Sequence, residues 1–213
     1  SLKSGRFAIN TPEEKLFIAE EDLVNDSFRL AVQIYESGFR PDFVVGIWRG
    51  GSTVGIYVQE CLQYLGVETD HIAIRTSYRG MDEYLRSLDQ PEAIRVHGMQ
   101  YLFENLNSTD NLLIVDDVFS SGHNIEAVIN HLSSKTRLNM PEEVRVAAPF
   151  YKPERNRTGR VPDYYLHETE QWLVLPYELT GLGDQEIAEH KAWMTPILAQ
   201  ARNGAQKEPQ ESQ

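Results

Sequence analysis

The chain has 213 residues, 41% of them hydrophobic and 24% charged, with a net charge of -12 and a pI near 4.9. That length supports one well-buried core rather than two, and the acidity argues against a broad face for nucleic-acid phosphates while leaving room for a locally held small anion. The single cysteine, Cys61, excludes an intramolecular disulfide framework and suits a reducing compartment. No apolar run nears the ~20 residues of a membrane span and no signal-peptide pattern opens the chain, so a cytoplasmic protein with no membrane or nucleic-acid partner is expected. The opening SLKSG lacks methionine and is set aside from fold reasoning.

Val24, Phe28, Ala31 and Tyr35 recur at helical spacing and predict a helix that Gly38 and Pro41 stop. DFVVGI (42–47) is short, apolar and β-branched, as expected of a strand covered on both faces. After WRGGS, a second helical stripe of Val54, Val58, Cys61, Leu62 and Leu65 ends at Gly66, which places Cys61 in core packing. HIAIRT (71–76) predicts another strand, and the polar stretch after it a long loop, about 77–95. LLIV (112–115) is a buried strand, followed by a helix marked by Ile125, Val128, Ile129 and Leu132, and VRVAAPF (144–150) is a further strand. DYYLH and QWLVLP, within 163–176, predict a smaller strand pair, and Ile187, Met194 and Leu198 a closing helix. The polar, proline-containing tail from 204 to 213 is expected to be disordered. Repeated strand, loop and helix imply one α/β domain over 1–203: a mostly parallel central sheet flanked by helices.

Ligands of open α/β sheets bind beyond the carboxyl ends of the strands. There, the 112–115 strand closes on Asp116 and Asp117, two acceptors suited to vicinal hydroxyls or a hydrated magnesium ion. Ser120, Ser121, Gly122 and Asn124 follow where a helix begins, an arrangement that can cradle an anion without lysine. The same residues would also serve as a plain strand end and N-cap turn. In GIWRGGS (46–52), the glycines would allow positive φ and close backbone approach to an anion, and Arg49 adds a cationic fork. An ordinary glycine turn reads the same way.

VDDVFSSGHN (115–124) resembles the phosphoribosyl-pyrophosphate motif of type I phosphoribosyltransferases. That resemblance implies that Asp116 and Asp117 address the ribose 2- and 3-hydroxyls while Ser121, Gly122, His123 and Asn124 enclose the 5-phosphate. GIWRGGS is similar to the pyrophosphate loop of purine-salvage members, which makes Trp48, Arg49, Gly50 and Gly51 a diphosphate seat. It also implies a strained, often cis, non-proline peptide near Trp48–Arg49–Gly50. Ser77 and Tyr78 look like the opening of the lid of hypoxanthine-guanine enzymes. Lys152-Pro153, then Trp172, then Pro176-Tyr177-Glu178 resembles the base-binding hood of bacterial xanthine-guanine enzymes, here about 151–180. Lys152 would donate to a purine exocyclic oxygen and Trp172 would stack on the ring. Glu178 stands where the family has an aspartate near the metal, so Asp116, Asp117 and Glu178 form the implied metal set.

The resemblance covers 43–178. It implies a magnesium-dependent transfer of a 5-phosphoribosyl group from phosphoribosyl pyrophosphate to a purine-like base, releasing pyrophosphate in nucleotide salvage, by a protein that pairs as a homodimer. Asp116, Asp117, Ser120 and Arg49 take the catalytic positions. Where 6-oxopurine enzymes place a proton-handling aspartate, this chain has Ser120, whose hydroxyl is too weakly acidic or basic to replace a carboxylate unaided. The base is therefore left open, and a non-catalytic regulator that binds phosphoribosyl pyrophosphate or a nucleotide on the same fold is the alternative. The loop position of His123 favours phosphate contact or solvent over base catalysis. His71, His97, His131, His167 and His190 show no zinc-like spacing, and no G-x-S-x-G pattern supports a hydrolase.

Overall fold

The structure, a computed structural model, describes residues 14–77 and 94–205. The strands of the central sheet are β2 (Phe43–Trp48), β3 (Asp70–Ser77), β4 (Arg95–His97), β5 (Asn111–Val115) and β7 (Glu143–Ala147), in the order β4-β3-β2-β5-β7. All neighbours are parallel except β4, which pairs antiparallel with β3. The expected parallel α/β architecture is present.

The strands are apolar on both faces because each face is covered. Val44, Leu113 and Val115 face α1 (Glu20–Glu36) and α2 (Gly50–Tyr64), where Leu30, Ile34, Val54, Val58 and Leu62 are fully buried. Val45, Leu112 and Ile114 point the other way, toward α3 (Gln100–Asn105) and α4 (His123–Thr136), meeting Leu102, Val128 and Leu132. Cys61 is partly buried against the first of these clusters, as expected.

Along α1 the buried stripe differs from the one the spacing predicts. Leu23, Asp26, Ser27, Leu30, Ala31 and Ile34 are buried, whereas Phe28 is exposed and meets Tyr57 of α2 edge-on at 5.6 Å. Two polar residues disguise the true stripe. The Ser27 hydroxyl donates to the Leu23 carbonyl at 2.7 Å, and Asp26 accepts from Arg29 at 3.1 Å and lies 2.7 Å from His167 Nε2.

The 144–150 strand is two elements. β7 stops at Ala147, and after Pro149, which has no N–H for a ladder, β8 (Phe150–Tyr151) joins a separate parallel sheet, β6-β8-β9, with β6 (Val118–Phe119) and β9 (His167–Glu168). The expected pairing of DYYLH with QWLVLP does not form. β9 pairs with β8, while β10 (Trp172–Val174) pairs in parallel with β1 (Lys15–Phe17), a strand the sequence did not signal.

The closing helix is broken into α5 (Asp184–His190), a 3₁₀ turn (Ala192–Met194) and α6 (Thr195–Ala205). The break falls at Lys191, whose φ of -134° and ψ of 43° leave the helical region. Pro196 suits the first turn of α6, where a missing N–H is harmless. Because α6 runs to Ala205, the first residues of the expected disordered tail are helical; 206–213 lie outside the described residues. Most of the expected lid, 78–93 with Tyr78, does so too. Ser77 closes β3, its hydroxyl 3.0 Å from His97 Nε2 on β4.

Candidate active site

Parallel pairing brings three chain segments to one edge of the sheet. Gly46 of β2 lies opposite Val115 of β5, and Val115 opposite Ala147 of β7, so the loops leaving these strands emerge side by side. The first carries a cis peptide bond between Trp48 and Arg49, and α2 starts immediately after it.

Gly50 and Gly51 serve a purpose other than the expected one. Neither has positive φ. Both are buried in the first turn of α2 against the end of β5. A methyl on Gly50 would overlap Asp117 Oδ2 and the Tyr177 hydroxyl, and one on Gly51 would overlap the Val115 carbonyl oxygen and come within 2.8 Å of Asp116 Cα. The pair lets the first loop press onto the two aspartates.

Beyond those aspartates lies a cavity of about 50 Å³, several times the ~10–15 Å³ that admits one water. Asp116, Ser120, Ser121, Gly122 and Asn124 line it. Gly122, which lines the cavity, has a φ of 82° at the N-cap of α4, and the Ser121 hydroxyl accepts the His123 N–H at 3.3 Å in the first turn, so the start of the helix adjoins the cavity. Ser120 and Ser121 supply hydroxyls beside it. His123 is placed differently from the expectation: it is buried as the first residue of α4 and does not line the cavity. The 156–160 segment braces this loop, since the Arg157 N–H donates to the Ser121 carbonyl at 3.0 Å and Thr158 packs against Gly122.

The two acids are unlike in surroundings. Asp116 reaches the cavity, and its Oδ1 accepts the Asp117 N–H at 2.9 Å. Burial first, and the adjacent Asp117 carboxylate second, push the Asp116 carboxyl well above the ordinary range. Asp117 accepts the Val118 N–H at 2.8 Å through Oδ1 and the Tyr177 hydroxyl through Oδ2. Burial, followed by the Asp117 charge, raises the Tyr177 phenol far above its usual value, so Tyr177 remains a donor.

Arg49 caps the arrangement from the other loop. Its guanidinium lies 3.7 Å from Glu178 Oε1 and 5.8 Å from the centre of the Tyr177 ring. Glu178 also accepts the Leu175 N–H at 2.8 Å, which turns its carboxylate into its own turn. The three-carboxylate set of Asp116, Asp117 and Glu178 is therefore not assembled, and among the described residues no cluster of three or more His, Cys, Asp or Glu is placed to hold a metal ion.

The remaining predicted residues lie apart from the cradle. Lys152 is buried and donates to the Gln171 carbonyl, joining β8 to the approach to β10. Trp172 is 52% exposed, with Lys15 Nζ 5.3 Å from the centre of its ring. Trp48 points away from the cradle and lines a separate groove of about 310 Å³ with Ile56, His71 and Ala73. Sequence reasoning gave no role to Tyr177 or Lys191. The Lys191 ammonium, buried, donates to the carbonyls of Leu175 at 3.0 Å and Pro176 at 2.7 Å, fastening the turn that carries Tyr177 and Glu178. The aromatic between Pro176 and Glu178 was the available signal for the first; nothing local marked the second.

A parallel sheet whose strand ends present a carboxylate, a turn of small polar residues at a helix start and a facing arginine loop has its candidate site where open α/β proteins hold their ligands. Residues 19–180 match the phosphoribosyl transferase domain, and the chain belongs to that family as a phosphoribosyltransferase. Among solved structures it is similar to a purine phosphoribosyltransferase from Pyrococcus horikoshii at 25% identity and a TM-score of 0.57, over 80% of this chain and 98% of that one. A Helicobacter pylori xanthine-guanine-hypoxanthine phosphoribosyltransferase is 18% identical with a TM-score of 0.57, over 78% and 95%. A Neisseria gonorrhoeae protein with bound ppGpp is 19% identical with a TM-score of 0.63, over 87% and 98%; these last two show likeness of fold. No curated protein matches the sequence significantly.

Proposed function

We propose that this phosphoribosyltransferase moves a 5-phosphoribosyl group from phosphoribosyl pyrophosphate to a purine-like base in nucleotide salvage, releasing pyrophosphate. The observation that carries this reading is the cradle cavity, where Asp116 and the small-residue turn that opens α4 share one small polar space. In it, Ser120, Ser121, Gly122 and Asn124 would hold the 5-phosphate by hydroxyls and amides. Asp116 and Asp117 would orient the ribose and place negative field near an anomeric carbon that gains cationic character. Arg49 would neutralise the departing diphosphate. Trp172 offers a ring face to the base, and Lys152, whose ammonium carries three donors, would turn one toward an exocyclic oxygen.

Magnesium fits this donor set as a partner of the substrate rather than of a protein cage, because it commonly takes one or two carboxylates together with substrate phosphates and water. Asp116 would hold it, and it would supply charge neutralisation at the leaving diphosphate. A homodimer and a cytoplasmic location complete the proposal. Among the described residues no helix is long and apolar enough to cross a membrane.

Ser120 favours a second reading, a sensor that binds phosphoribosyl pyrophosphate or a nucleotide without transfer, because no carboxylate stands at that position to handle the base proton. Pyrophosphate release with magnesium, phosphoribosyl pyrophosphate and a panel of purine-like bases separates the two. Turnover with any base is the expected result. Tight binding of the donor or of ppGpp without turnover would select the sensor, and binding of neither would remove both readings.

A further inference from the structure

The turn from Leu175 to Glu178 touches the sugar site at two points, and each contact uses a group that the donor would need. The Tyr177 hydroxyl donates to Asp117 Oδ2. Glu178 pairs with Arg49 at 3.7 Å, and the same guanidinium lies over the Tyr177 ring at 5.8 Å. Asp117 has its other oxygen on the Val118 amide, and Gly50 presses against Oδ2 so closely that a methyl there would overlap it. A ribose hydroxyl reaching for Oδ2 therefore meets a hydroxyl already in place. Behind the turn, Lys191 holds the carbonyls of Leu175 and Pro176 and leaves Tyr177 and Glu178 as the end facing the site.

We propose that Tyr177 is a positioning residue of the sugar site whose hydroxyl stands in for a ribose hydroxyl on Asp117, so that seating the sugar requires Tyr177 to leave. The inference rests on the ribose role given to Asp117 under Proposed function. Its physical basis is exchange. One charge-assisted hydrogen bond on the carboxylate is traded for another, so the diol gains little until the phenol is removed. A diphosphate drawing Arg49 away from Glu178 would loosen the same turn from its other side. Tyr177 thereby ties occupation of the sugar site to the shape of the hood, since β10, which carries Trp172, leads directly into this turn.

Binding of two probes to the full chain, each with magnesium, tests this: phosphoribosyl pyrophosphate, which has the diol, and inorganic pyrophosphate, which lacks it. Tyr177→Phe keeps the ring and removes only the donor. It is expected to tighten phosphoribosyl pyrophosphate binding by about tenfold, the worth of one exchanged hydrogen bond, and to leave pyrophosphate binding unchanged. Glu178→Gln, which frees Arg49, is expected to tighten pyrophosphate binding instead. Unchanged or weaker donor binding by Tyr177→Phe would overturn the proposal, as would equal tightening of both probes, which would mean general loosening. A wild-type chain that binds no phosphoribosyl pyrophosphate would sink the functional reading itself, a result visible before any variant is made. A thermal melt of each variant without ligand shows whether it is folded.

Discussion

Gly50 and Gly51 adjoin in sequence and meet different obstacles, which separates their expected effects. A methyl at Gly51 runs into the Val115 carbonyl and the Asp116 Cα, backbone atoms that cannot step aside. Gly51→Ala should lower stability by about 1–3 kcal/mol or more, measured by denaturant unfolding. At Gly50 the obstacles are the side chains of Asp117 and Tyr177, which can move. Gly50→Ala should cost less stability but weaken donor binding, and equal losses in both variants would contradict this placement. Lys191 illustrates the buried-charge side of the site. Burial holds its ammonium below the ordinary lysine value near 10.5. Between that lowered value and about 10.5 the unfolded chain binds more protons than the folded one, so stability rises with pH across the interval. Lys191→Met should lose about 1–3 kcal/mol for each stranded carbonyl at neutral pH. The gap between wild type and variant should widen as pH climbs toward about 10. None of this was legible locally: Tyr177 lies 60 positions from Asp117, and Lys191 is an unremarkable lysine until its carbonyl partners are seen.

Among the elements, periodic stripes located helices, but the buried stripe of α1 shares Ala31 with the expected one and otherwise runs through Leu23, Asp26, Ser27, Leu30 and Ile34. Leu30 is fully buried and Phe28 is 38% exposed. Leu30→Ala should cost about 2–5 kcal/mol, whereas Phe28→Ala should cost less than that and leave the α1–α2 contact largely intact. The reversed order would restore the stripe read from Val24, Phe28, Ala31 and Tyr35. The hood went wrong for a related reason. Two adjacent apolar runs invite the idea of a hairpin, yet β9 and β10 each find a parallel partner elsewhere, in β8 and β1. Strand partners are chosen by tertiary proximity, which composition does not encode. Trp172, on β10, exposes about half its surface. Trp172→Ala should raise the KM for the base far more than that for the sugar donor, and steady-state kinetics with each substrate varied in turn would show it; equal rises would remove its stacking role.

Across the whole molecule, the chemistry gathers where the parallel strands β2, β5 and β7 end together. The larger cavities, of about 420 and 310 Å³, lie elsewhere, against α1 and β9 and beside Trp48. The proposed site is therefore the smallest of these three cavities. Asp117→Asn should weaken donor binding at least tenfold, roughly the worth of one charge-assisted contact, and calorimetric titration with unchanged affinity would make the carboxylate structural. The α/β class, a strand ending at Asp116 and Asp117, and the run of small polar residues after it are all readable from the order of residues. All three are local: buried strands read as apolar runs, and an anion loop needs small polar residues beside a helix start. That Asp116 faces the cavity while Asp117 is held by Tyr177, that Glu178 pairs with Arg49, and that His123 is buried emerge in the folded chain alone. Those facts depend on contacts between residues far apart in the chain, and the packing of the whole fold sets which way each such side chain turns.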